Sequence, residues 1–80
     1  MDNDAIKRKV SRNIKKCISV SGKDLRLIVY ELDSSESTLR GYMSGANLPG
    51  AAMIIKMCLV LDCTYEDILG KPEDSGLVKT

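Results

Sequence analysis

Helix punctuation is the feature of this sequence that most restricts its fold. Short blocks of apolar residues spaced three and four apart recur along the chain, set off by residues that cap or end helices, and no strand-like alternation is present. The spacing predicts a first helix from about Asp4 to Ser19, with Ile6, Val10, Ile14, Cys17 and Ile18 in one arc and Gly22 as its stop. A second runs from Lys23 or Asp24 to Leu32, with Asp24 as N-cap and Leu25, Ile28, Val29 and Leu32 on a buried face. Asp33 and Ser34 then turn. Ser35 caps a third helix, Glu36 to about Ser44, and Gly45 closes it. A loop containing Pro49 leads to a fourth helix, Ala51 to Leu61, and Asp62 to Thr64 turn again. Thr64 caps the fifth, Asp67 takes the capping-box position, Cys63 and Ile68 form the staple, and Gly70 and Pro72 end it.

The predicted class is therefore all-α, five helices in one domain over 1–70, with 71–80 as a frayed tail. The predicted core is Val10, Ile14, Cys17, Ile28, Val29, Leu32, Leu39, Ile54, Cys58, Leu61 and Ile68. A chain of 80 residues supports only a thin core. No stretch is long and apolar enough for a bilayer span, and no signal peptide is recognisable, so the expected setting is the cytoplasm with reduced thiols.

Composition narrows the chemistry. There is no histidine, which removes Ser-His and Cys-His nucleophile pairs, and three cysteines fall one short of an all-cysteine zinc site. No cofactor or metal is expected. Cys17, Cys58 and Cys63 all lie on apolar arcs and read as small core hydrophobes. Glu66 and Asp67 lie in a first helical turn, where they complement the helix dipole, so the chain reads as a non-enzyme. The net charge of +1 conceals an asymmetry. Residues 1–26 carry eight basic groups against three acidic ones, and the remainder carries four against eight. Lys9, Arg12, Lys16, Arg8 and Lys15 form a stripe on the first helix, a pattern that suits a polyanionic partner.

The second helix, the short turn and the third helix carry the functional signal. The former has a buried face, and the latter has a capped start and an outer face of Glu36, Ser37, Arg40, Gly41 and Ser44. A helix-turn-helix reader uses such a pair: the first helix braces and the second lies in the major groove. The run Ser35-Glu36-Ser37-Thr38-Leu39-Arg40-Gly41-Tyr42-Met43-Ser44-Gly45-Ala46-Asn47-Leu48-Pro49 resembles the lambda-repressor-like (Cro/cI, XRE-type) helix-turn-helix domains. The resemblance extends without gaps from Asn13 to Gly70, with Ala51 to Leu61 matching that family's fourth helix and Thr64 to Gly70 its fifth.

The resemblance implies a sequence-specific double-stranded DNA-binding regulator, repressor-like. It implies that Glu36, Ser37 and Gly41 sit where bases are read, that Ser35 and Thr38 meet phosphate, that Arg40 lies beside them, and that Asn47 occupies a phosphate-contacting loop. Lys16, Lys23 and Arg26 are added as sources of field and phosphate contact. The chain departs from the family's pattern at Leu25, where many members carry glutamine, and at Ala46 and Asn47, where two basic residues are usual. Asp33 replaces glycine and Ser34 an apolar residue. Leu25, the missing basic pair of the loop and Glu36, which would repel phosphate, together with the near-neutral pI of 7.7, support the alternative of a protein-protein interaction module that kept the fold and lost DNA binding. The fourth helix is apolar nearly all round, so a homodimer through Leu59, Val60 and Tyr65 is also expected.

Overall fold

The computed structural model describes residues 2–71, and within them the chain is entirely helical. The elements are α1 (Asn3–Ser21), α2 (Leu25–Glu31), α3 (Glu36–Ser44), α4 (Ala51–Leu61) and α5 (Tyr65–Leu69). The tail expected over 71–80 lies outside the described residues except for Lys71.

Local side chains account for most of these limits. Asp2 accepts from the Asp4 amide at 2.9 Å, so α1 begins one residue before the predicted start. It runs on to Ser21, two residues past the predicted end, until Gly22 takes the left-handed conformation. Ser35 caps α3 by accepting from the Thr38 amide at 3.1 Å. Thr64 and Asp67 complete the predicted capping box: Thr64 N–H donates to Asp67 Oδ2 at 2.9 Å, and Asp67 N–H to Thr64 Oγ1 at 3.1 Å. One cap differs from expectation. Asp24 holds the N-cap position of α2 with extended backbone, but its carboxylate makes no capping hydrogen bond. Helix α2 also ends at Glu31, with Leu32 as its C-cap.

The core gathers Val10, Ile14 and Cys17 of α1, Ile28 and Leu32 of the α2 region, Leu39, Met57, Leu61 and Ile68. Met57, fully buried, replaces Ile54 and Cys58 at its centre, and those two pack half-buried at the edge with Val29. The cause is the composition of α4: a helix apolar on almost every side carries no stripe to fix its rotation, so its neighbours decide which face turns inward. Helix α1 packs against α3, α4 and α5, and α2 against α3 and α4.

Short helices leave many terminal carbonyls unpaired, and side chains from distant helices reach several of them. Asn13 Nδ2 donates to the Ile68 carbonyl at 3.0 Å, and Cys17 Sγ to that of Asp67 at 3.8 Å, which fixes the end of α5 on α1. Lys23 Nζ donates to the Val60 carbonyl at 2.7 Å, a cation at the C-terminal turn of α4. Buried Ser11 supplies a small contact where α1 meets the end of α3: a β-carbon on Gly45 would stand 3.5 Å from its hydroxyl.

The α2–α3 turn is closed by backbone bonds from Asp33 N–H to the Tyr30 carbonyl and from Ser34 N–H to the Val29 carbonyl, both at 3.1 Å. This is a Schellman closure with Asp33 in the left-handed region at φ 54°, where glycine is normally found. Asp33→Gly should therefore stabilise the fold by roughly 0.5–1 kcal/mol, the relief of left-handed strain exceeding the added chain entropy. A higher urea midpoint with an unchanged slope is the expected result; a lower midpoint would show that Asp33 holds the turn through its side chain.

Candidate nucleic-acid interface

Helix α3 buries Leu39 completely and half-buries Tyr42 and Met43, so its opposite face is left to solvent. Glu36, Ser37, Thr38, Arg40 and Ser44 are all exposed, and Gly41 lies among them, opposite Leu39. The sequence-predicted residues Ser35 to Gly41 are thus brought onto one helix and its cap, with Asn47 at their edge.

The geometry within this face is specific. Ser35 Oγ accepts from the Thr38 amide and donates to Thr38 Oγ1 at 2.8 Å, which leaves the Thr38 hydroxyl proton free to donate outward. Arg40 does not stand alone: its Nε and Nη2 both lie 2.9 Å from Glu36 Oε2, one turn earlier. The two side chains are largely exposed, so the pair is worth only about 0.3–0.5 kcal/mol. A bidentate contact to a base is worth about 1–3 kcal/mol, so the pair yields to a base wherever one is in reach. Ser44 Oγ donates to the Gly41 carbonyl at 3.1 Å, and the Asn47 amide N–H donates to the same carbonyl at 3.2 Å, folding the loop back on the helix.

The supporting lysines are placed differently from the expectation. Lys23 is half-buried, with its ammonium engaged by Glu31 Oε1 at 2.9 Å and by the Val60 carbonyl, so it ties α2 to α4. Lys16 and Lys9 line a groove between α1 and α5 together with Glu66 and Asp67, so the basic stripe does not form one free face. Lys9 Nζ is buried there without a hydrogen-bond partner among the described residues. Arg8, Arg12, Lys15, Lys16 and Arg26 are exposed. The Lys23 stem bends toward acceptors on α2 and α4, which a helical wheel does not reveal.

The candidate dimer surface also changes membership. Leu59 is 79% exposed and Tyr65 55%, while Val60 is half-buried and packs against the core. Val20 of α1, 78% exposed, takes its place beside Leu59, and Ile55 extends the strip along α4.

The three cysteines, expected to be small core hydrophobes, all pack in or against the core, Cys17 buried and Cys58 and Cys63 half-buried. Cys63 Sγ donates to the Met57 carbonyl at 4.0 Å and Cys17 Sγ to that of Asp67 at 3.8 Å, and none of the three is in a disulfide. Among the described residues no group of three or more histidine, cysteine or acidic side chains is arranged to hold a metal ion, and no helix is long and apolar enough to cross a membrane. Burial raises the Cys17 thiol above its ordinary value. Burial first, and then the neighbouring Cys17 and Cys58, pushes Cys63 up to about 12. Such thiols are poor nucleophiles at neutral pH. Asp67 moves the other way, its carboxyl lowered by the backbone amide and the hydroxyl of Thr64.

No family model, no curated protein and no solved structure matches this chain.

The Cys63 shift has a measurable consequence. An unperturbed thiol ionises near 9.0, so the folded chain retains a proton that the unfolded chain releases. The associated stability is intact below pH 9.0 and is lost as pH rises from there toward about 12. Urea midpoints measured from pH ~8 to ~10.5 should fall, and Cys63→Ala, although less stable at every pH, should show a shallower alkaline decline. An equal decline in both proteins would assign the effect to other groups.

Proposed function

We propose that this chain is a repressor-like, sequence-specific double-stranded DNA-binding protein of lambda-repressor-like fold, reading the major groove with α3. The observation that carries this reading is the outer face of α3. It is a capped helix whose only fully buried residue is Leu39 and whose exposed side is made of short polar groups and one arginine. Short side chains let a helix backbone approach the groove floor, while α2 and its Schellman turn brace it from behind.

Roles follow from chemistry. Thr38 donates its free hydroxyl to a phosphate, and Ser35 holds it. Ser37 faces the base edges. Arg40 exchanges Glu36 for a guanine edge, and the released Glu36 carboxylate accepts from a cytosine N4 group or repels the backbone of a wrong site. The pair therefore filters sequences more than it adds affinity. With Lys23 committed to α4 and Arg40 the one cation on the outer face of α3, few cations stand beside the reader, so affinity should fall with salt along a shallow slope.

Sites selected from a random duplex library supply the ligand for the test. Arg40→Ala should cost about 1–3 kcal/mol on the selected duplex and relax preference at one base pair. Glu36→Gln should raise affinity for many sequences and change preference, and Lys16→Ala should leave preference as it is. If Arg40→Ala and a Glu36, Ser37 double alanine variant bind as the parent does, α3 is not the reader and the interaction-module reading replaces this one.

The exposed Val20, Leu59 and Tyr65 form the surface through which we propose a homodimer on DNA, with recognition helices about 34 Å apart on a palindromic site. Sedimentation of the complex at high-micromolar protein should give two chains per duplex, and Leu59→Asp should give one. Two chains bound by the Leu59→Asp variant would move the interface elsewhere.

A further inference from the structure

Gly41 occupies the middle of α3, on the exposed side, where a glycine is hardest to justify. It lies within regular helix and is absent from the positive-φ residues, so no backbone conformation demands it. A glycine there weakens the helix by about 1 kcal/mol relative to alanine. The reason is space. A β-carbon on Gly41 would stand 2.8 Å from Nδ2 of Asn47 and 3.8 Å from its Cγ, and no other group lies within 4 Å. The Asn47 amide group thus rests on the bare backbone of α3, at the place where a residue 41 side chain would project.

The loop holds it there. Gly45 takes φ 85° to leave the helix, Ala46 N–H donates to Ser44 Oγ at 3.3 Å, and Asn47 N–H donates to the Gly41 carbonyl at 3.2 Å. Asn47 is exposed, and its side-chain amide makes no hydrogen bond with another described residue. A polar group seated against the bare backbone of a helix-weakening glycine, with donor and acceptor both free, is open to a partner outside the chain.

We propose that Asn47 reads a base edge from this socket, an adenine, and that Gly41 is a positioning residue that acts through it. This rests on the DNA-reading role of α3 and changes the part given to Asn47 from phosphate contact to base readout. A carboxamide presents one donor and one acceptor side by side, which match N7 and the N6 amino group of adenine in the major groove. A phosphate offers acceptors only and uses half of that pattern.

The test compares the parent chain, Gly41→Ala, Asn47→Ala and the double variant, on the duplex selected by the parent and on versions of it changed at each position. Asn47→Ala should lose roughly 5- to 150-fold on the selected duplex and lose its preference for adenine at one position. Gly41→Ala should raise the urea midpoint, because alanine favours the helix, and yet lose affinity and the same preference. The double variant should bind as Asn47→Ala does, because Gly41 has nothing left to position. The proposal is overturned if Asn47→Ala keeps every base preference, which would return Asn47 to a phosphate role. It is equally overturned if the double variant loses the sum of the two single losses, since alanine would then obstruct the duplex directly. A parent chain that retains no duplex at low salt overturns the DNA-reading role itself, and this inference with it. The parent's own binding therefore separates that failure from a failure confined to Asn47.

Discussion

The scarcity of buried apolar surface governs this molecule. Nine side chains make up the buried hydrophobic core among the described residues, and α1 contributes three of them, Val10, Ile14 and Cys17. A core this thin cannot hold five short helices by burial alone. Their ends are fastened instead by polar groups, distant ones in Asn13 on the end of α5 and Lys23 on the end of α4, and local caps in Ser35 and Thr64 at the starts of α3 and α5. Each such bond contributes on the order of 1 kcal/mol, a large fraction of what a domain of this size has. The same fastening withdraws Lys23 from the surface and leaves α3 as an exposed helix with a rigid start.

What α3 offers to a partner follows from that arrangement. Its exposed side is close to neutral because Glu36 and Arg40 cancel, so a long-range field does not bring a partner to it. Under the proposed reading, recognition there would depend on short-range hydrogen bonds that are strong only when the geometry is right. A reader of this kind trades affinity for discrimination, and a second copy bound at the Val20, Leu59 and Tyr65 surface would restore the affinity by linking two weak contacts.

Much of the fold is legible in the sequence where single residues decide it. Ser35 with Gly45, and Thr64 with Asp67, mark helix ends by local chemistry, and α3 and α4 have the limits read from them. The rotation of α4 is not legible, because a uniformly apolar helix contains no stripe, and Met57 rather than Ile54 or Cys58 fills the centre. Nor is the fate of Lys23, whose long stem responds to acceptors on α2 and α4. The Glu36–Arg40 pair was readable from its spacing of four, since opposite charges one helical turn apart meet. The seat of Asn47 on Gly41 was half readable: a glycine in mid-helix with no turn to make signals close approach, but only the folded loop identifies what approaches. The convergence of Cys17, Cys58 and Cys63 spans three separate segments, and no spacing rule joins them.

The most direct measurement of the central claim is an amide chemical-shift titration of the folded chain with the duplex it selects from a random library. DNA reading by α3 requires the largest perturbations at Ser35 to Gly41 and at Asn47, with Arg40 Nε among the shifted side-chain signals and with α5 unchanged except at the copy-to-copy surface. Perturbations confined to the α1–α5 groove, or no perturbation by any duplex at low salt, would contradict it.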